Sequence, residues 1–419
     1  DGYFDAWLQH RKDSINAWSA RGEKYPVFIV NTYGGGIRAA AWTTMVITYM
    51  DEVMKQNYGK SFQHHVLAYS SVSGGTIGAA ILCAQRYRYG DAQVLTADKV
   101  FQLYSRDYLT PVLIGLQGRD IWLAPFRSDA IADRAEFQER TWESHLREDS
   151  IPFNTSYFGM WYDTTAANAF EVPLLFSNTY NADDGKKGVL APVKLNKHEF
   201  PGANFINDLY DTNIMDTIDE NLRISTASFL SARFPYISPT ARFADGLHFL
   251  DGGLKENSGA ETASQLFRAI QRILSNTRDS SQLIHKVAFH ILSIRNTFGN
   301  TEPDDKADNI SEITAPLTAL VNNYVGTSIQ ADSVNFFELK NRYHTVHPRR
   351  VPIKPLTGDT LRPILPLGWQ ISNLALQGMR TSLANYPESL PRILIQHLHC
   401  DPVKEREYRS KLKLWPEKK

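Results

Sequence analysis

Thr32-Tyr33-Gly34-Gly35-Gly36-Ile37-Arg38 and, one βα unit later, Ser71-Val72-Ser73-Gly74-Gly75 decide how this chain is read. Before the first stretch lies Tyr25-Pro26-Val27-Phe28-Ile29-Val30-Asn31, an apolar run with the β-branched and aromatic content of a buried strand. After it, Ala39-Ala40-Ala41-Trp42 opens a helix with apolar positions at Met45, Ile47, Met50, Val53 and Met54. Three glycines between strand and helix leave backbone N–H groups uncovered where the helix dipole favours negative charge, so the loop reads as an anion cradle.

The second stretch repeats the grammar. Val66 to Ser70 reads as a strand, Thr76 to Arg88 as a helix, and Ser73 falls on the turn between them. Small residues on both sides of a serine permit the strained turn of a nucleophile elbow, with the following N–H free to meet an oxyanion. Ser71 stands at the first glycine position of the usual G-x-S-x-G pattern. A serine needs a base, and the candidate is Asp251 in Phe249-Leu250-Asp251-Gly252-Gly253-Leu254, where two glycines leave the carboxylate uncrowded.

In combination these segments resemble the patatin-like phospholipase family. The carrying residues are Gly34-Gly35-Gly36-Ile37-Arg38, Ser73-Gly74-Gly75 and Asp251-Gly252-Gly253, in the family's order. Ser225-Thr226-Ala227-Ser228-Phe229-Leu230-Ser231-Ala232-Arg233-Phe234-Pro235 is similar to the family's alanine- and serine-rich helix before the aspartate. The likeness spans residues 25 to 295. Tyr33, where many members have aspartate, and Ser71 depart from it. The resemblance implies a Ser73–Asp251 dyad without a catalytic histidine, an oxyanion hole from Gly34, Gly35, Gly36 and Gly74, no cofactor or metal, and a lipid ester substrate. Arg38 is expected either to meet a phosphate headgroup or to steady the cradle. An inactive copy of the fold and a non-lipid esterase are the alternatives.

Three rivals come from single features. His248, close to Asp251, would complete a Ser-His-Asp triad. His397 and His399 follow the strand-like run Arg392-Ile393-Leu394-Ile395-Gln396, where an H-x-H pair shares one face and suits zinc. The glycine loop alone would suit a phosphate-binding module, although it lacks both the P-loop lysine and the G-x-G-x-x-G spacing.

Strands feeding helices predict an α/β fold: a mainly parallel central sheet with helices on both faces, helical insertions and a helix-rich C-terminal part. Its boundaries are an N-terminal helix over 1–24 packed on the main domain, a catalytic domain over 25–295 and an extension of that domain over 296–419. Phe4, Trp7, Leu8, Ile15 and Trp18 fall at near-helical spacing, facing the core or, alternatively, lipid. Tyr108 to Leu116 is a proline-broken apolar run, expected as core, acyl-chain wall or membrane-contacting loop. Phe298 to Glu312 reads as a mobile loop.

Lys plus Arg and Asp plus Glu number 45 each, which argues against nucleic acid and leaves any peripheral membrane contact local or hydrophobic. Cys83 and Cys400 give no disulfide framework. No run reaches the roughly 18 apolar residues of a membrane span and no signal peptide is visible. A cytoplasmic or peripheral-membrane location is expected, and the start at Asp1 leaves room for an upstream anchor or signal.

Overall fold

The computed structural model describes residues 2–114, 134–162, 170–209, 222–234, 238–243, 246–276, 283–298, 330, 332–341, 346–353, 368–385 and 389–413. The polypeptide is built on one nine-stranded sheet. Strands β1 (Tyr25–Thr32), β2 (Val66–Val72), β3 (Leu174–Asn181), β4 (Lys187–Leu190) and β5 (Ala203–Phe205) are followed by β6 (Ala241–Arg242), β7 (His248–Asp251), β8 (Val287–Phe298) and β9 (Val346–Ile353). Across the sheet the order is β5-β4-β3-β2-β1-β8-β9. The five strands from β3 to β9 are mutually parallel, whereas β4 and β7 run antiparallel to β3.

β1 and β2 are buried at every position, as parallel strands covered on both faces must be. The helices α1 (Gly2–His10), α2 (Lys12–Ser19), α3 (Gly36–Tyr58) and α4 (Gly74–Tyr89) supply part of that cover. α3 starts within the glycine triplet and α4 immediately after Ser73, so both site loops lie at the carboxyl edge of the sheet.

Three expectations are corrected. The single N-terminal helix is two helices broken at Arg11, and Phe4, Trp7, Leu8 and Ile15 are buried in the core, which removes the lipid-facing reading of that stripe. The run before His397 is helical: Ser389–Arg392 leads into a π-turn over Ile393–His397. The C-terminal third adds a strand, β9, to the sheet as well as helices. Pro348 and Pro352 disguise it in the sequence, and its place at the end of the strand order is where proline is tolerated. Residues 299 to 312 of the expected loop lie outside the described residues.

Candidate active site

Strand register brings Ser73 and Asp251 together. Along one edge of β3, Val72 pairs with Asn178, and the next position, Thr179, pairs with Asp251 of the incoming β7. β2 and β7 therefore both end against consecutive residues of one strand. Ser73, the first residue past β2, is placed beside the Asp251 carboxylate. The Ser73 Oγ donates to Asp251 Oδ2 at 2.6 Å, with no imidazole between them, and Asp251 Oδ1 accepts the Gly253 N–H at 2.9 Å. Ser73 and Asp251 are both buried, at 3 % and 1 % exposure.

Ser73 has φ 51° and ψ −128°, a backbone conformation that costs an L-residue energy and is held by its surroundings. Its N–H donates to Ser231 Oγ at 2.8 Å, and the Thr76 hydroxyl donates to the same oxygen at 3.1 Å. The Ser231 hydroxyl proton goes to the Asn178 carbonyl. The Asn178 side chain holds the strand below, donating to Ser71 O at 3.0 Å and accepting from Thr262 Oγ1 at 2.6 Å. Ser231 and Asn178 are thus the supports of the turn. Sequence reading gave neither this part, because their roles depend on contacts between segments far apart in the chain.

Glycine is required at Gly74 by contact: a Cβ there would stand 1.9 Å from the Gly36 carbonyl oxygen. That approach sets the two loops against each other. Gly34, expected as an oxyanion donor, has its N–H engaged by the Asn257 carbonyl at 3.0 Å, which is a correction: in this arrangement it cannot also serve an oxyanion. No hydrogen bond engages the N–H groups of Gly35, Gly36 or Gly74 among the described residues. They remain as donors.

The strand-end loop after Asp251 clamps the cradle. Successive carbonyls of Asn257, Ser258 and Gly259 accept from Gly34 N–H, Asn31 Nδ2 and Ser70 Oγ, which ties β1 and β2 to the aspartate's own loop. Asn296 at the end of β8 donates to Gly34 O at 2.8 Å. Beneath lies Glu256, accepting from the N–H and hydroxyl of Ser258; burial pushes its carboxyl up. Arg38 is half-buried, and its guanidinium lies 3.5 Å from where a Gly35 Cβ would stand, so it flanks the cradle.

His248 is placed away from this site. Burial alternates along β7, with His248 on the opposite face from Asp251, and its Nδ1 meets Asp183 at 3.1 Å. His397 and His399 diverge: His397 stacks on His347 at 5.6 Å between centroids, whereas His399 pairs with Glu23 at 3.0 Å. The H-x-H pair of the rival metal reading is thus split between different partners.

A buried aromatic cluster flanks both loops. Phe229, two residues before Ser231, lies 5.8 Å from Trp369, and both lie about 6 Å from Trp142. Gly368, next to Trp369, accepts the Ile37 N–H at 3.0 Å. Tyr108, for which the readings are core, acyl wall and membrane-contacting loop, is core: it is fully buried and stacked on Trp142 at 3.8 Å. Leu113 and Ile114 of the same run are exposed, and Gly115 and Leu116 lie outside the described residues.

No protein-family model matches this chain. No curated protein sequence matches it either. Among solved structures it is similar to human GIVD cytosolic phospholipase A2, with 16% identity over 45% of this chain and a TM-score of 0.29. The chain spans 26% of that protein's length. It is also similar to VipD from Legionella pneumophila, with 11% identity over 93% of this chain and 67% of VipD, again at a TM-score of 0.29.

Proposed function

We propose that this protein is a serine acyl hydrolase that cleaves lipid esters through an acyl-enzyme on Ser73, with Asp251 as its base. One observation carries the reading: a buried serine on a positive-φ turn, hydrogen-bonded at 2.6 Å to a buried aspartate, beside unpartnered glycine N–H groups. Asp251 accepts the Ser73 proton as Oγ bonds to the ester carbonyl carbon, and the electron pair moves to the carbonyl oxygen. Gly35, Gly36 and Gly74 N–H groups stabilise that oxyanion; one such donor is typically worth ~3 kcal/mol of barrier. The tetrahedral intermediate collapses, the protonated aspartate gives its proton to the leaving alkoxide, and water repeats the sequence to release the acid.

The lipid part of the proposal rests on the resemblance of the glycine, serine and aspartate segments to the patatin-like phospholipases; Phe229, Trp369 and Trp142 beside the loops are core, packed on one another at 1 %, 5 % and 0 % exposure. Exposed Leu113, Ile114 and Phe137 suit peripheral membrane contact. Arg38 is assigned to headgroup or cradle support. The chain's own residues carry every step, without a metal or cofactor.

A lipid-like fluorophosphonate should label Ser73 and no other serine. Ser73→Ala and Asp251→Asn should each abolish ester hydrolysis while retaining the native circular dichroism spectrum. Activity should rise with acyl length, since each buried methylene is worth ~0.8 kcal/mol, until the acyl-binding region is filled. Wild-type turnover in either folded variant defeats the dyad; equal rates on acetyl and long-chain esters leave an esterase of non-lipid substrates.

A further inference from the structure

At the opposite end of α3 from the glycine triplet lies a cavity of about 140 Å³, bounded by α2, the last turn of α3 and the short turn Phe62–His65. α3 runs 23 residues from Gly36 to Tyr58, placing the cavity about 33 Å along the helix from the cradle by helical rise. It is therefore separate from the proposed hydrolytic site.

Its walls are rings: Trp18, Tyr25, Tyr58 and His65, with Tyr25 and His65 stacked at 4.6 Å. A cavity of about 150 Å³ accepts benzene, so this volume suits one six-membered ring. One buried polar atom is left over. His64, 5 % exposed, bounds the cavity; its Nδ1 lies 3.2 Å from Glu171 Oε2, and its Nε2 has no partner. Glu171 also pairs with Arg86 and is held ionised, so it can only accept; His64 therefore carries its proton on Nδ1. Nε2 presents a lone pair. At the mouth stand the exposed cations Arg21 and Lys60. Lys60 has Asp91 at 3.4 Å, and Arg21 has no carboxylate partner among the described residues.

His64, Asp91 and Glu171 also have the spacing of a metal site. Arg86 already bridges the two carboxylates, at 2.6 Å to Asp91 and by a contact to Glu171, so their charge is matched by a guanidinium.

We propose that this cavity binds a small single-ring aromatic acid bearing a hydroxyl group. The ring lies among Trp18, Tyr25, Tyr58 and His65, the hydroxyl donates to His64 Nε2, and the carboxylate meets Arg21 at the mouth.

The test is calorimetric titration of the full chain with 4-hydroxybenzoate, benzoate and phenol. Saturable one-to-one binding of 4-hydroxybenzoate is expected, with benzoate weaker by about fivefold for the lost hydrogen bond. Phenol should be weaker than 4-hydroxybenzoate, and Arg21→Gln should erase that difference. Ala17→Phe and Ser14→Phe, two substitutions on the α2 side of the cavity, should each weaken binding at least about tenfold by filling the ring's place. Quenching of tryptophan fluorescence by the ligand should shrink in Trp18→Phe. Ester hydrolysis is expected to be unchanged in all four variants, so failure here leaves the Ser73 reading untouched and the converse also holds. Absence of saturable binding up to about 10 mM, the weakest affinity expected of a ten-atom ligand, overturns the proposal. So does equal affinity in both filled variants, or phenol binding as tightly as 4-hydroxybenzoate.

Discussion

Ser231→Ala should cost this protein both stability and turnover, although Ser231 does not touch the scissile position. Its Oγ accepts the Ser73 N–H at 2.8 Å and the Thr76 hydroxyl at 3.1 Å, and donates to the Asn178 carbonyl. Truncation leaves the Ser73 N–H, inside a residue 3 % exposed, with no acceptor. Stranding one buried donor costs about 1–3 kcal/mol, and the Asn178 carbonyl adds a smaller loss, for a total of about 2–3 kcal/mol. At about 2.1 cal/mol/K per residue, a chain of 419 residues unfolds with about 0.9 kcal/mol/K, so Tm should fall by about 3 °C. The Ser73 turn depends on that bond to stay at positive φ, and relaxing it moves Oγ off Asp251; a shift near 1 Å costs about a hundredfold in rate. The assay pairs urea denaturation with ester hydrolysis, and the control is Ser228→Ala. Ser228 lies in the helix Ile224–Leu230 that Ser231 caps and is also buried, but its hydroxyl bonds to Ser225 O within that helix. Ser228→Ala should keep wild-type turnover. If Ser231→Ala also kept it, with unchanged stability, the reasoning that this hydroxyl holds the turn would be refuted.

Gly74→Ala should be worse than an ordinary helix-start substitution, because its Cβ would stand 1.9 Å from the Gly36 carbonyl and neither partner is a flexible side chain. Overpacking of about 1–3 kcal/mol and loss of labelling at Ser73 are expected, measured by thermal melting and fluorophosphonate incorporation. Asn178→Asp replaces a donor with a carboxylate facing Ser71 O at 3.0 Å, so stability should fall at neutral pH and recover on acidification, as the protonated acid regains a donor. Asp51 gives a second pH signature. Burial lifts its carboxyl from 3.8 to about 7, so its contribution to stability is intact below about pH 4 and is lost as pH rises through 7, on the order of 4 kcal/mol. Asp51→Asn should flatten urea midpoints over that window, since the buried Gln63 Oε1 has no partner and can accept from the new amide.

The parts of the fold legible in the sequence were those encoded locally. Tyr25 to Asn31 and Val66 to Ser70 are apolar and β-branched because parallel strands are buried on both faces, and the structure places strands there. β9 was missed because its two prolines and three charged or histidine side chains suit an edge strand, whose pattern is set by a neighbour rather than by its own core. The π-turn at Ile393–His397 was misread because a short apolar run has no period of its own; packing decided it. The run from Tyr108 reads as core, acyl wall or membrane-contacting loop on composition alone, and the ring of Trp142 decides for core at Tyr108.

The residues of the proposed site could be named from the sequence by type, while their supports could not, for the same reason. Ser73, Asp251 and the glycines can be named one at a time, as a hydroxyl on a turn, a carboxylate and chain positions without a side chain. Their alignment is a property of β3, which meets β2 at Asn178 and β7 at Thr179. A one-residue slip of β7 along that edge would turn Asp251 to the face where His248 now sits, and the Ser73 hydroxyl would lose its acceptor. Gly252 guards that register, because a Cβ there would stand 2.1 Å from the Asn178 carbonyl. The glycine after the aspartate therefore does more than loosen a turn. It lets β7 sit close enough to β3 for a carboxylate to reach the serine directly, where a more distant strand would need an intervening imidazole.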